Sequence, residues 1–279
     1  MLEWRLYEAG HCMHPELATL QGGRLAPCAF PALVAALRHP VHGRILFDTG
    51  YAHAFFAATA RFPERLYRWA TPVRLQEGES LVAQLARDGI AAGDIAWVVV
   101  SHLHGDHVGG LADFPLARIA CAREAVDWMR ARGRIGALRK GVLPALFDSA
   151  TQARMEAFED RRTVALEGPF ARFGVARDLF DDGSLLAIPL PGHAPGHYGL
   201  LFRDADGLVF LVADASWSSH AIRAGIPPPA AVTGWLGDTD AYRTTLAHLH
   251  ALHREAPHVR LVPAHCREWR PAGEGLAHA

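Results

Sequence analysis

Four side chains of the metal-binding type lie within six consecutive residues, HLHGDH: His102, His104, Asp106 and His107. Imidazole and carboxylate are ligands that suit zinc and its first-row neighbours. A turn has no structural need for these groups, and burying them without partners is costly. His102 and His104 alternate along the chain and face one ion, whereas Asp106 and His107 follow Gly105 and turn towards a second. The spacing therefore predicts a metal site with more than one ion.

Three further residues of the same type each follow an apolar run, at the point where a strand is expected to end. His193 lies in the loop PGHAPGH, Asp214 follows LVFLVA, and His265 follows LVPA. In α/β proteins, chemistry gathers at the carboxyl ends of strands. These residues are therefore predicted to supply the ligands that the first cluster lacks. The alternatives are a helix N-cap for Asp214 and a buried structural histidine for His193 and His265.

The elements that must position these ligands follow from the apolar pattern. The continuous apolar run IAWVVV precedes His102 and predicts a strand buried on both faces. Ser80 and Gly89 are typical of the start and the end of a short helix in front of that strand. The turn RHPVHG between the runs at 32–37 and 44–47 predicts a β-hairpin. Helix, buried strand and polar loop in this order are typical of an α/β protein.

The second half of the chain predicts further β-structure and one helical insertion. Asp-Gly pairs at 182–183 and 206–207 predict hairpin turns between apolar runs, and leucines spaced along 239–254 predict a helix. Arginine and glutamate residues recur at helical spacing over about 122–170. We interpret this segment as a helical insertion that serves as a lid or an interface, with an ordinary solvated helix pair as the alternative. The whole chain, 1–279, is expected to form one domain.

Composition limits the class of protein. The chain has 279 residues, of which 50% are hydrophobic and 20% charged, with a formal net charge of -1, and these values argue against a disordered chain. Near-neutral charge argues against nucleic-acid binding, which needs a basic face. No apolar run approaches the roughly 18–20 residues that span a bilayer, and MLEWRLYEAG does not read as a secretory signal. The scattered cysteines fit a reducing compartment, so we expect a cytoplasmic protein without membrane or nucleic-acid partners.

The segments SHLHGDHVGG, PGH, LVADAS and PAH, in this order and preceded by FDTG, resemble the metallo-β-lactamase superfamily. The resemblance implies an α/β protein, a four-layer αβ/βα sandwich with a binuclear metal site at one edge of two facing sheets. Carried over position by position, it implies two sets of ligands and a bridging aspartate: His102, His104 and His193 for the first metal, Asp106, His107 and His265 for the second, and Asp214 between them.

Two of these positions narrow the resemblance to hydrolases. The bridging Asp214 is similar to that of glyoxalase II and the N-acyl-homoserine lactonases, whereas the true β-lactamases of the fold lack it. His104 stands where the diiron flavoproteins of the fold usually have a glutamate. PGHAPGH and LVADAS are most similar to the lactonase branch. The implied reaction is attack by a metal-bridged hydroxide on a lactone or related carboxylic ester, with Asp106 taking and returning the proton.

The resemblance leaves other activities open. A thioester hydrolase of the glyoxalase II type would use the same metal pair. A persulfide dioxygenase shares the HxHxDH element and would hold a single iron. A metal-dependent ribonuclease of this fold is disfavoured by the neutral charge. The implied cofactors are two divalent ions, zinc first, with manganese, cobalt and iron as alternatives.

Four residues are expected around the metal ligands. Trp217 stands where lactonases often carry a tyrosine, and its indole N–H donates a hydrogen bond but accepts none. Trp217 and Tyr198 are expected to contact a small ester or lactone substrate, with core packing as the alternative. Asp48, in FDTG, is expected to support the metal loop from behind, or to act as an N-cap at a strand end. His197 is expected to have a structural role, and 122–170 would form the interface of a homodimer.

Overall fold

The computed structural model describes residues 1–269 of the chain, and two mixed β-sheets lie at its centre. In chain order, the strands of the first sheet are β1 (Glu3–Pro15), β2 (Pro27–His39), β3 (Gly43–Phe47), β4 (Val73–Arg74), β5 (Ile95–Val99), β6 (Arg118–Cys121) and β7 (Met155–Ala157). They are arranged in the order β4-β1-β2-β3-β5-β6-β7. β1 to β4 pair antiparallel, whereas β3, β5, β6 and β7 run parallel. The predicted buried strand is β5, and the predicted hairpin joins β2 to β3.

The second sheet has six strands, and each strand lies next to its neighbours in the chain. They are β8 (Arg162–Ala165), β9 (Val175–Asp178), β10 (Leu185–Pro189), β11 (Tyr198–Asp204), β12 (Gly207–Ala213) and β13 (Arg260–Pro263). Neighbouring strands are antiparallel except for β12 and β13, which are parallel. The turns at 182–183 and 206–207 join β9 to β10 and β11 to β12, which confirms both predicted hairpins.

Helices cover the outer faces of the two sheets. Within the described residues they are α1 (His53–Ala58), α2 (Arg65–Ala70), α3 (Leu81–Arg87), α4 (Gly105–Val108), α5 (Arg123–Leu138), α6 (Ser149–Ala153), α7 (Ser219–Ala224), α8 (Ala230–Leu236) and α9 (Thr239–Glu255). α3 and α9 confirm the two predicted helices. The side chain of Asp238 caps α9 by accepting from two backbone N–H groups of its first turn. None of these helices is long and apolar enough to cross a membrane.

The two sheets face each other across a shared core, and the alternation along each strand decides what each side chain contacts. On β11, Leu200 and Phe202 belong to the core that includes the first sheet, whereas Leu201 packs with the leucines of α9. On β12, Leu211 faces the first sheet and Phe210 faces α9. With α3 and α5 packed into the core of the first sheet, the layers are helix, sheet, sheet and helix. This is the predicted four-layer αβ/βα sandwich.

The prediction of a helical insertion over about 122–170 is only partly correct. α5 and α6 lie in this segment, but so do β7 and β8, which form the edges of the first and the second sheet. β8 is largely exposed and has no apolar face, so its sequence lacks the alternation that identifies a half-buried strand. Gly133, at φ +65°, interrupts α5. The segment therefore carries the chain from one sheet to the other.

The carboxyl ends of five strands meet at one edge of the sandwich. β3 and β5 are parallel neighbours, as are β12 and β13. β10 runs in the direction of β12 because both are antiparallel to β11. The residues that follow these five ends are the predicted ligands and supporting residue: Asp48, His102, His193, Asp214 and His265.

The loop after β10 passes close to the start of α9 at a glycine. Gly192 has φ +125°, and a Cβ atom there would lie 2.1 Å from the backbone nitrogen of Tyr242. Its carbonyl accepts from the backbone N–H of Asp238 at 2.8 Å. Since His193 follows directly, this close approach fixes the backbone from which the ligand projects.

We predict that Gly192→Ala lowers the free energy of unfolding by roughly 3 kcal/mol or more, since a backbone clash adds to an unfavourable φ. The matched control is Gly225→Ala, which lies in the left-handed region at φ +66° and ψ +28° and would make only an ordinary contact of 3.5 Å with His250; it should cost about 1–2 kcal/mol. Urea unfolding monitored by tryptophan fluorescence measures both. Equal losses of unfolding free energy in the two variants would show that the close approach of Gly192 to Tyr242 adds nothing to the cost of the positive φ.

Candidate metal centre

The seven predicted metal ligands lie together at the edge where the strand ends meet. They form two clusters that share one carboxylate: His102, His104 and His193 in the first, Asp106, His107 and His265 in the second, and Asp214 in contact with both. Six of the seven are buried, and only Asp106 is partly exposed, with 11% of its side chain accessible. The structure therefore brings together all seven residues that the sequence predicted as metal ligands.

The first cluster consists of three imidazoles whose nitrogens converge. Nε2 of His102 and Nε2 of His193 each lie 3.0 Å from Nδ1 of His104. Burial lowers the pKa of all three rings, and those of His102 and His193 lie well below the ordinary histidine value. The rings are therefore neutral, and each neutral ring has one nitrogen with a lone pair that a metal ion can accept. A metal ion with imidazole ligands requires such a convergence.

The second cluster pairs a carboxylate with two imidazoles. Oδ2 of Asp106 lies 3.2 Å from Nε2 of His265 and 3.8 Å from Nε2 of His107. Burial opposes the charge on each group, but mutual attraction outweighs it. The pKa of Asp106 accordingly lies well below its usual range, and the pKa values of His107 and His265 lie well above theirs. A divalent cation bound here would take the place of these imidazole protons.

Asp214 connects the two clusters. Its Oδ1 lies 3.3 Å from Nε2 of His107, and its Oδ2 lies 3.3 Å from Nε2 of His193 and 3.2 Å from Nε2 of His265. Burial would raise the pKa of Asp214, but the surrounding imidazoles hold it well below its usual range. The carboxylate is thus ionised and touches both ligand sets, as a bridging ligand would.

Acceptors outside the clusters fix which ring nitrogen faces inwards. His107 donates its Nδ1–H to Oδ2 of Asp48 at 2.7 Å, and His265 donates its Nδ1–H to the carbonyl of Pro31 at 2.6 Å. Each bond leaves Nε2 directed at the cluster. Outer partners of this kind set the tautomer and orientation of metal-binding histidines.

Asp48 occupies the supporting position expected for it. Its Oδ1 accepts from the backbone N–H of Ser101, and its Oδ2 accepts from the Ser101 hydroxyl, both at 2.8 Å. The next residue, Thr49, donates its backbone N–H and its hydroxyl to the carbonyl of His107 at 2.8 and 2.9 Å. The segment after β3 therefore holds the metal loop by both its side chains and its backbone.

His197 lies beside the site and links two of its loops. Its Nε2 accepts from the backbone N–H of Asp214 at 3.1 Å, and its carbonyl accepts from the N–H of Leu190 at 2.9 Å. Burial lowers the pKa of His197 to about 3, so the ring is neutral and suited to accept. The residue therefore joins the loop that carries His193 to the loop that carries Asp214.

A cavity of about 460 Å³ opens onto the ligands. Its walls are mostly aromatic and aliphatic, and no lysine or arginine among residues 1–269 lines it. Trp217 lies in its wall, but its indole N–H is engaged with Oδ2 of Asp214 at 2.7 Å. Tyr198 lines a different surface cavity and packs on Phe158, with ring centroids 4.7 Å apart. The structure therefore brings Trp217, and not Tyr198, to the cavity that contains the ligands.

Several residues around the site were not found from the sequence. Ser101 and the carbonyl of Pro31 orient ligands, and Tyr51 and Tyr67 line the cavity. Ser101 directly precedes the metal-binding motif, so its position offered a signal. A backbone carbonyl offers none, because its role does not depend on residue type. The Tyr51 hydroxyl is buried and makes no hydrogen bond among the described residues.

A second group of metal-type side chains, His39, His42 and Asp182, does not have the character of a metal site. Nδ1 of His39 accepts from the backbone N–H groups of Val41 and His42, at 3.1 and 3.0 Å. In the neutral ring, Nε2 must then carry the proton, so the nitrogen nearer Asp182 has no lone pair to offer. His42 pairs with Asp182 at 3.1 Å and stacks on Phe180. We assign this group to tethering two hairpins.

The residues of the main site fit a pair of divalent metal ions. Nε2 of His107 and Oδ1 of Asp214 are buried and make no hydrogen bond among the described residues, although each has the geometry to act as a ligand. Neutral imidazoles and ionised carboxylates are the donor set of zinc, manganese, cobalt and iron. Seven such donors in two clusters exceed what one tetrahedral site uses.

Sequence comparison relates the chain to known proteins. Residues 31–265 match the family described as the Metallo-beta-lactamase superfamily. N-acyl homoserine lactonase AttM of Azorhizobium caulinodans is 30% identical over 145 residues, which cover 52% of this chain and 50% of the relative. An N-acyl homoserine lactonase of Bacillus cereus is 26% identical over 186 residues, covering 66% of this chain and 64% of the relative. The chain thus matches about half to two thirds of the length of these relatives.

Comparison with solved structures finds proteins of similar fold. An N-acyl homoserine lactone hydrolase with N-hexanoyl-L-homoserine bound at its catalytic metal centre superposes with a TM-score of 0.71 at 20% identity, covering 95% of this chain and 93% of that one. AidC, a dizinc quorum-quenching lactonase, superposes with a TM-score of 0.61 at 19% identity, covering 95% and 88%. At these identities the likeness shows a shared fold.

We predict that Asp48→Asn weakens zinc binding by roughly 10- to 100-fold. Both carboxylate oxygens of Asp48 accept hydrogen bonds. In asparagine one of these oxygens becomes an NH2 group, which cannot accept the hydrogen bond that the oxygen accepted. Asparagine tolerates the φ of +65° at this position, so the fold should be retained. Competition with a chromophoric chelator measures the affinity.

The control is Asp182→Asn, which alters an aspartate that also pairs with a histidine but lies outside both clusters. Its zinc affinity should equal that of the unmodified protein. Unchanged zinc affinity in Asp48→Asn would show that zinc binding does not depend on the hydrogen bond between His107 and the Asp48 carboxylate.

Proposed function

Because this chain belongs to the metallo-β-lactamase superfamily, we propose that it is a metal-dependent hydrolase that opens lactones or related carboxylic esters. The observation that carries the proposal is the pair of ligand clusters sharing Asp214 beneath an apolar cavity. The names of the relatives from Azorhizobium caulinodans and Bacillus cereus, both N-acyl homoserine lactonases, support the same substrate class.

Two ions, rather than one, are proposed because each cluster has its own ligands. His107 and His265 have their outer nitrogens bonded and their inner nitrogens directed at the second cluster. A single ion bound by His102, His104 and His193 would leave Nε2 of His107 buried without a hydrogen-bond partner among the described residues. We propose zinc for both positions, with support from the dizinc lactonase AidC; manganese, cobalt and iron accept the same donors.

When bound, such ions polarise a carbonyl and lower the pKa of water towards roughly 7. The chain's own part begins with Asp106, the ligand with the greatest access to the cavity. As an ionised carboxylate it offers acceptor oxygens, so one oxygen can accept a proton from a nucleophilic water while the other remains with the second cluster. Asp106 can return this proton to the leaving alkoxide, which balances the hydrolysis.

The cavity favours a substrate without charge. Phe30, Tyr67, Val232, Trp235 and Leu236 are among its lining residues. The charged carboxylates in its wall, Asp106 and Asp214, face the ligand clusters. An anionic thioester carrier would find no lysine or arginine in this lining, whereas an apolar acyl group would bury its surface against these walls. This composition supports the lactone assignment over the thioester alternative.

Ring opening of a lactone panel, followed by proton release, tests the proposal. We expect hydrolysis that is abolished by chelation and restored by zinc, with preference for uncharged lactones carrying apolar acyl groups. A His193→Ala preparation serves as the matched control, because activity from a contaminant would persist in it. Inactivity on every lactone by protein holding two metals per chain, together with thioester hydrolysis, would replace lactones by thioesters as the substrate class.

Asp106→Asn is expected to lower kcat by about 10²- to 10⁴-fold, because an amide cannot take up the proton. Steady-state rates are measured in excess zinc so that loss of metal affinity does not limit the variant. Asp113→Asn, which alters an aspartate outside both clusters, should retain the unmodified rate. Near-full turnover in Asp106→Asn would remove this residue from proton transfer.

A further inference from the structure

We propose that Trp217 is a positioning residue for the metal centre: its indole N–H holds the Asp214 carboxylate in the orientation that serves both ligand clusters. This inference rests on the proposed two-metal hydrolase. It assigns to Trp217 a role different from the substrate contact expected from the sequence.

The contact is short, buried and directional. Nε1 of Trp217 lies 2.7 Å from Oδ2 of Asp214, and the two residues are 7% and 3% exposed. The indole stands edge-to-face with the His193 ring, with centroids 5.5 Å apart, and lies at 6.2 Å from the Tyr242 ring. A hydrogen bond to a charged acceptor in such surroundings is stronger than one between neutral groups in water. Packing against His193 and Tyr242 therefore holds the Trp217 indole in place, and the indole N–H in turn holds the Asp214 carboxylate.

The oxygen that receives this bond is the one that faces both clusters. Oδ2 of Asp214 lies 3.3 Å from Nε2 of His193 and 3.2 Å from Nε2 of His265. Rotation of the carboxylate would carry Oδ2 away from at least one of them. An indole offers a single donor and no positive charge, so it can orient the oxygen without displacing a cation as a lysine or arginine would.

The backbone of Asp214 is fixed as firmly as its side chain. The residue before it, Ala213, has φ +46°, which non-glycine residues rarely adopt. The backbone N–H of Asp214 donates to the His197 ring at 3.1 Å. The remaining freedom of Asp214 is rotation of its side chain, and the Trp217 N–H restricts it. Because this N–H is engaged, what Trp217 offers to the cavity is its ring surface.

Trp217→Phe tests the inference by removing the N–H. We expect the affinity for zinc to fall roughly 10- to 100-fold, in the range known for outer partners of metal ligands. Competition with a chromophoric chelator and metal analysis after dialysis measure this change without reference to activity. Trp235→Phe is the matched control, because Trp235 lines the same cavity but is 63% exposed. Its zinc affinity should remain that of the unmodified protein.

A second variant separates the hydrogen bond from the shape of the side chain. β-(3-benzothienyl)alanine at position 217 keeps the bicyclic shape and replaces the N–H by sulfur. If the N–H is what matters, this protein should bind zinc as weakly as Trp217→Phe, and its cobalt-substituted form should show an altered visible spectrum. Zinc affinity and spectrum equal to those of the unmodified protein would overturn the inference. An unmodified chain that holds no metal pair would overturn the proposed function, and this inference with it.

Discussion

The attraction between one buried carboxylate and the imidazoles around it is the interaction on which the site depends. Asp214 is 3% exposed and has ring nitrogens of His107, His193 and His265 within 3.3 Å. An ionised carboxylate in a protein interior is strongly unfavourable unless opposite charge and hydrogen bonds compensate it. Here the partners come from the first sheet and from two different loops of the second. The charge of Asp214 is therefore compensated only when both sheets place their strand ends at one edge. The site consequently forms only when the two sheets pack together.

Backbone groups do much of the orienting. The carbonyl of Pro31 fixes His265, the backbone of Thr49 holds the metal loop, and the backbone N–H of Asp214 meets His197. Strand pairing already determines where such groups lie, so the ligands do not depend on long, flexible side chains for their orientation. Two of the three non-glycine residues with positive φ among the described residues lie here: Asp48 at φ +65° and Ala213 at φ +46°. Both residues directly follow or end a central strand, where the sheet can hold a conformation that a loop alone would not keep.

How much the sequence predicts depends on how local the signal is. The convergence of the seven predicted ligands could be predicted because each belongs to a short motif or follows an apolar run, and strand ends of one direction share an edge. β7 was missed because its three residues are too few to show a period, and β8 was missed because its largely exposed residues have no apolar face. Pro31 acts through its carbonyl, to which residue type gives no clue. Trp217 was placed near the site, but its partner was not predictable, because the direction of an indole N–H is decided by tertiary packing.

Most of the apolar wall of the cavity comes from parts of the chain that contribute no predicted metal ligand, so metal binding and the fit of a substrate would depend largely on different residues. The walls include 14–19, 67–71 and α8, which contribute no metal ligand. Changes there can alter which acyl group fits without touching the clusters. Position 217 is the exception, because its side chain lines the cavity and also bonds to Asp214. A residue with a hydroxyl at position 217 that bonded to a substrate would leave the Asp214 carboxylate without its donor, unless the hydroxyl could bond to both. At this position, selection for a substrate and selection for a well-oriented metal centre act on the same side chain.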